Sequence, residues 1–212
     1  MIMMFGLLMG ALSQPSFNCD RAETGTERAI CADADLSRQD LELATLYRDV
    51  RDRLSPEARD ALRQDQRWFL GARDQWFENR DRWAGFPTLA ERMEERSEFL
   101  ESIDAEARGW TGRWRNAAGA LNITEHEGRL TLAFNTAHPA NARWLCDVSL
   151  TGEPVEGVIE GPADTDESYR LSARLLGDVI QVEETPVEGH GGPPEYCGAN
   201  GFVGGSFFRV RD

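Results

Sequence analysis

Apolar positions along the 212-residue chain fall into two regimes. From about Cys19 to Glu106 they recur three and four residues apart, the period of a helix that buries one face, with no long Gly- or Pro-rich interruption. A short helix is predicted through Glu27–Cys31, and a second carries Leu36, Leu43 and Val50, joined by Leu46, Tyr47 and Leu54. Ser55-Pro56 ends that run and starts the next, because Ser caps free N–H groups and Pro at the first helical position loses no hydrogen bond. The third stripe is Ala61, Leu62, Trp68, Phe69, Ala72 and Trp76. Gly85-Phe86-Pro87 then breaks the helix, and Thr88 with Glu91 forms a capping box for a last helix reaching about Ile103.

Beyond Arg108 the period drops to two and glycines accumulate, which predicts β structure. Leu121–Ile123 and Leu130–Phe134 flank the turn Glu127-Gly128, and Leu171–Leu175 and Val179–Glu183 flank Gly177-Asp178, so two hairpins are expected. With Trp114, Trp144–Leu150, Val155–Ile159 and Gly201–Val210 the total is seven or eight strands. The expected fold is therefore α+β, a bundle of about four helices followed by a small antiparallel barrel or sandwich. The expected units are a helical domain over 17–106 and a β domain over 112–212.

Four cysteines permit three pairings. They fall two per half, Cys19 and Cys31 then Cys146 and Cys197, and pairing within each half is the simplest choice. Met1–Leu12 is an uncharged apolar run, shorter than a bilayer span but suited to a signal-peptide core, and small residues precede a cleavage point after Ser13. Both features point to an oxidising compartment, periplasmic or secreted, and to a protein that does not span a membrane. All 23 cations are Arg, against 37 acids, for a net charge of −14. Such a field excludes phosphate-backbone binding and favours a basic protein partner. No catalytic residue, cofactor site or metal site is expected. The histidines His126, His138 and His190 stand at turns without metal spacing, the nucleophile-elbow and phosphate-loop motifs are absent, and there is no lysine for a Schiff base. Phe77 and Trp83 lie off the helical stripe, interleaved with arginines, and are candidate partner contacts.

Phe17-Asn18-Cys19, Glu27–Cys31, Leu36 with Leu43 and Tyr47, Gln66-Arg67-Trp68 and Arg73-Asp74 occur in the order found in the LprI-like family of small exported bacterial proteins, which residues 17–101 resemble. The resemblance implies a helical, disulfide-tied envelope domain, with lysozyme inhibition known for a named member, and adds Arg73 and Asp74 to the candidate partner contacts. The family usually carries a cysteine shortly after Arg-Asp, where this chain reads Gln75-Trp76-Phe77-Glu78. Gly112-Arg113-Trp114 is similar to the Gly-x-Trp of lipocalin-like barrels. The implied function is an exported binding protein that inhibits a basic lysozyme-type muramidase by occluding its cleft. The alternative is a small periplasmic barrel holding an apolar ligand, with the helices as adaptor.

Overall fold

A computed structural model describes residues 14–211. The expected signal segment, residues 1–13, lies outside the described residues. The helical half comprises α1 (Gly25–Ala32), α2 (Ala34–Arg53), α3 (Pro56–Asn79) and α4 (Leu89–Ser102). Capping boxes start α1 at Thr24/Glu27 and α4 at Thr88/Glu91, and Ser55 caps α3 with Pro56 in its first turn. Glu27 and Glu91 each accept a backbone N–H there, which holds both carboxyls below their ordinary pKa. The Cys19–Cys31 disulfide ties a single 3₁₀ turn to the end of α1, closing a short loop of the kind that contributes about 3 kcal/mol in the chain-entropy account.

Eight antiparallel strands follow: β1 (Gly112–Asn116), β2 (Gly119–His126), β3 (Arg129–Ala137), β4 (Leu145–Gly152), β5 (Val158–Pro162), β6 (Tyr169–Leu176), β7 (Val179–Pro186) and β8 (Gly205–Arg209). Their order, β4-β3-β2-β1-β8-β7-β6-β5, makes every consecutive pair from β1 to β4 and from β5 to β8 a ladder. The β1–β8 pairing joins the two runs. Across the remaining gap, Asp164 N–H donates to the Ser149 carbonyl (3.0 Å) and Ser149 N–H to the Asp164 carboxylate (2.9 Å), so the sheet forms a nearly closed barrel. Its interior is filled by side chains including Trp114, Leu121, Leu132, Phe134, Leu171 and Phe207. The Cys146–Cys197 disulfide fastens the long β7–β8 connection to β4.

The helices pack on the outer wall of this barrel, where β8 and the start of β7 carry apolar residues on both faces. Phe207 points inward against Phe134, while its neighbour Phe208 points outward against Phe99 of α4. Val179 and Val210 likewise join the helical core, while Ile180 and Val182 join the barrel core. Trp68, on the stripe expected to fill the bundle, instead packs against the barrel cluster and stacks on Phe202 at 5.6 Å.

Polar contacts fix the same junction. Asp65 of α3 accepts from the Arg96 guanidinium of α4 at 2.7 Å and from the Ala117 N–H in the β1–β2 turn at 2.8 Å. Asp178, in the β6–β7 turn, accepts from the Ser55 N–H and hydroxyl at the start of α3. Arg92 of α4 donates to the carbonyls of Pro139 and Ala140 in the β3–β4 loop, and Ile103 bridges to Val210 just past β8. Asp65 and Arg96 side chains are 5% and 3% exposed, so removing one leaves a buried charge without its partner. Asp65→Ala is expected to cost about 3–5 kcal/mol in urea unfolding, whereas Arg38→Ala, in an exposed helical pair, should leave the unfolding midpoint nearly unchanged. Equal effects of the two substitutions would show that the junction does not depend on this pair.

Candidate functional site

The four residues singled out as partner contacts occupy the end of α3 and the loop beyond it. Phe77 is half-buried, carries the Arg80 guanidinium over its ring at 4.3 Å and packs beside Gly25 at the start of α1. Trp83 is half-buried on the helical core. Arg73 is buried, and two of its nitrogens donate to its neighbour Asp74 at 3.0 and 3.1 Å. Asp74 is thus the more accessible of that pair, and Arg73 faces a cavity between the helices and the barrel.

Next to Trp83 the chain turns through Gly85, at φ +94°, and presents Phe86 38% exposed. Gly85, Phe86 and Pro87 form one wall of an open groove of about 520 Å³ whose other wall is Glu91, Glu94, Glu95 and Glu98 of α4. These glutamates are exposed and spaced three, four and seven residues apart, so they line one side of the helix. That spacing, next to a helix-breaking Gly-Phe-Pro, is the signal in the sequence for this face, and it lies outside the aromatic stripe of α3. The groove combines an apolar side chain at its lip with a row of negative charge, an arrangement suited to a convex, basic protein surface.

Other clusters bear on chemistry. Ser168, His190 and Asp166 come together beside the β5–β6 connection, with Ser168 Oγ 3.4 Å from His190 Nε2. In a hydrolytic triad the carboxylate orients the histidine and the histidine takes the serine proton. Here Asp166 accepts the Ser168 hydroxyl directly, together with the N–H groups of Ser168 and Glu195. These bonds hold the Asp166 carboxyl below its ordinary pKa, and their effect is to fasten the 187–195 segment, which Tyr169 also anchors through its hydroxyl on the Gly192 carbonyl. Glu184 secures the other end, accepting from the Tyr196 hydroxyl (2.6 Å) and the Val203 N–H (2.9 Å); burial first, then Glu184, push that phenol far above its ordinary pKa. Among the described residues no three His, Cys, Asp or Glu side chains gather as metal ligands, and no helix is long and apolar enough to cross a membrane.

The aromatic row Trp68–Phe202–Trp144 runs along the junction, with His138 edge-on to Trp144 at 5.8 Å. His138 Nδ1 accepts the Ala140 N–H, and burial, helped by Arg143, lowers its pKa below 6.5. Folding thus favours the neutral imidazole. The stability this contributes is complete above the ordinary value of 6.5, falls as pH drops below it and levels off beneath the folded-state pKa. Urea unfolding between pH 7 and pH 5 should show this loss, and His138→Asn, which keeps an acceptor for Ala140, should remove it. Superimposable pH profiles for the two proteins would refute the assignment.

Residues 19–100 match the family model described as Lysozyme inhibitor LprI. The match takes in the Cys19–Cys31 bridge, α1 to α3 and nearly all of α4, and none of the barrel strands. No curated protein and no solved structure matches the chain. Over Cys19 to Leu100 the chain is therefore similar to the lysozyme inhibitor LprI family, the same family that its ordered sequence motifs resemble.

Proposed function

We propose that this protein is a non-enzymatic, exported binding protein of the cell envelope that inhibits a basic lysozyme-type muramidase by covering its cleft. The observation that carries the reading is the family match over residues 19–100, which spans the docking elements of the helical half. Two disulfides support an oxidising compartment. The net charge of −14 supports attraction to a basic enzyme. The docking face is the groove between the 85–87 turn and α4: Phe86 is the apolar anchor, Glu91, Glu94 and Glu98 supply the complementary charge, and Phe77, Trp83 and Asp74 extend the surface toward α3. Arg73 acts from beneath, by holding Asp74 in place.

The barrel interior is filled by its own side chains, so the reading of the β half as a container for an apolar ligand gains no support from it.

Turbidity-based lysis of peptidoglycan-bearing cells by a c-type lysozyme tests the proposal. Oxidised protein should protect the cells in a dose-dependent way, and protection should weaken as salt rises, because exposed charges are screened over about 10 Å at 0.1 M. Glu94→Gln with Glu98→Gln should lower the association rate and flatten the salt dependence, while Phe86→Ala should speed dissociation. Absence of protection at micromolar concentrations of folded protein would overturn the reading.

A further inference from the structure

A second feature stands apart from the muramidase reading. Between α3, α4 and the β1–β2 turn lies a cavity of about 110 Å³ whose wall includes Arg73, Arg92, Arg96, Arg115, Phe69 and Phe99. Four guanidinium groups around one small cavity are unexpected in a chain of net charge −14. Three carboxylates stand against them, and two are already engaged: Asp74 with Arg73 and Asp65 with Arg96. The third, Glu95, is exposed at the rim.

We propose that this cavity binds a small oxyanion, a carboxylate or a phosphate group. The strongest ground is Arg96, which is 4% exposed. Its Nε donates to Gln66 at 2.9 Å and its Nη1 to Asp65 at 2.7 Å, while its buried Nη2 has no hydrogen-bond partner. A buried donor without an acceptor is costly, and a guanidinium offers its fork to oxyanions in particular. The group is also held in place: its carbon lies 5.1 Å from the Phe69 ring and 4.8 Å from the Phe99 ring. Arg115 lies against Phe99, 5.7 Å from its centroid, and forms no ion pair among the described residues. Arg92 donates only to the neutral carbonyls of Pro87, Pro139 and Ala140, so no carboxylate in contact neutralises it. Burial lowers its pKa, and the charge of Glu95 at the rim offsets this only in part.

The parts therefore divide into a buried guanidinium with one unpaired nitrogen, Arg96, a second whose nearest opposing charge is the exposed Glu95, Arg92, and a half-buried cation, Arg115, able to close over a ligand. The Phe69 and Phe99 rings in the wall lower the local dielectric beside these cations and strengthen each attraction. The volume admits a few heavy atoms, enough for phosphate or the carboxylate end of a short-chain acid. Because helices and barrel both contribute to the wall, occupancy ties the two halves together and stabilises the whole fold.

The test is thermal unfolding and calorimetric titration of the oxidised protein with sodium phosphate and, separately, sodium succinate, with sodium chloride at matched ionic strength as reference. Saturable binding by either anion is expected, with the melting temperature raised by about 5–10 °C at roughly a hundredfold excess over Kd. Phosphate alone, succinate alone or both would assign the site to tetrahedral anions, to carboxylates or to oxyanions generally. Arg115→Gln, which removes no hydrogen bond of the fold, should weaken binding at least tenfold, and Arg38→Gln, exposed on α2 and not part of the cavity wall, should leave it unchanged. No saturable effect beyond chloride, or binding indifferent to Arg115→Gln, would overturn the proposal.

Discussion

The buried carboxylate of Asp65 is the point on which the two halves of this molecule depend. One oxygen takes the Arg96 guanidinium and the other takes the backbone N–H of Ala117, so a single side chain fixes the spacing of α3 from α4 and the position of the β1–β2 turn. An ion pair so far from water gains stability only where every remaining polar contact is met. Asp65 meets this condition through Ala117. Arg96 does not: one of its buried nitrogens has no hydrogen-bond partner.

Around that anchor the architecture follows from strands that have apolar residues on both faces. Phe207 and Phe208 are adjacent, yet one completes the barrel interior and the other the helical core, so β8 belongs to two cores at once. Next to Phe208, at the end of β8, Arg209 reaches past Gly112 (φ +121°) over the Trp114 ring and donates to the Thr111 carbonyl, while Trp114 donates its own indole N–H to the Trp110 carbonyl. The φ of +121° at position 112 is strained for any residue with a Cβ, which is why β1 begins with glycine.

Much of this was legible in the residues. Ser55-Pro56, Thr88 with Glu91, and the alternation around Gly177-Asp178 each specify a boundary through local chemistry, and each boundary stands at or beside the predicted position. The junction was less legible because its signals look like exceptions to the pattern. Arg92 and Arg96 occupy core-facing positions among Leu89, Met93, Phe99 and Leu100, and a charged residue in an apolar stripe is meaningful only when its partner, many residues away, is known. Trp68 has the same limitation: helical period places it on the buried side of α3, but period does not say whether bundle or barrel covers that side. The acidic row on α4 was present in the spacing of its glutamates, yet exposed glutamates recur on many helices, and only the turn at Phe86 makes this row one wall of a groove.

The double role of β8 also governs the order in which the molecule can be assembled. It is the last of the eight strands to be synthesised, yet it pairs with β1 and β7, and the residue beyond it bridges to Ile103 at the end of α4. The outer face of Phe208 that the helices bury, and the ladder that joins β1 to β7, are both absent until that strand arrives. Contacts spanning about a hundred residues close slowly, because the entropy of the intervening chain must be lost before any of them forms. The helices therefore emerge first with an apolar side uncovered, and the junction that buries it is complete only once the last strand pairs.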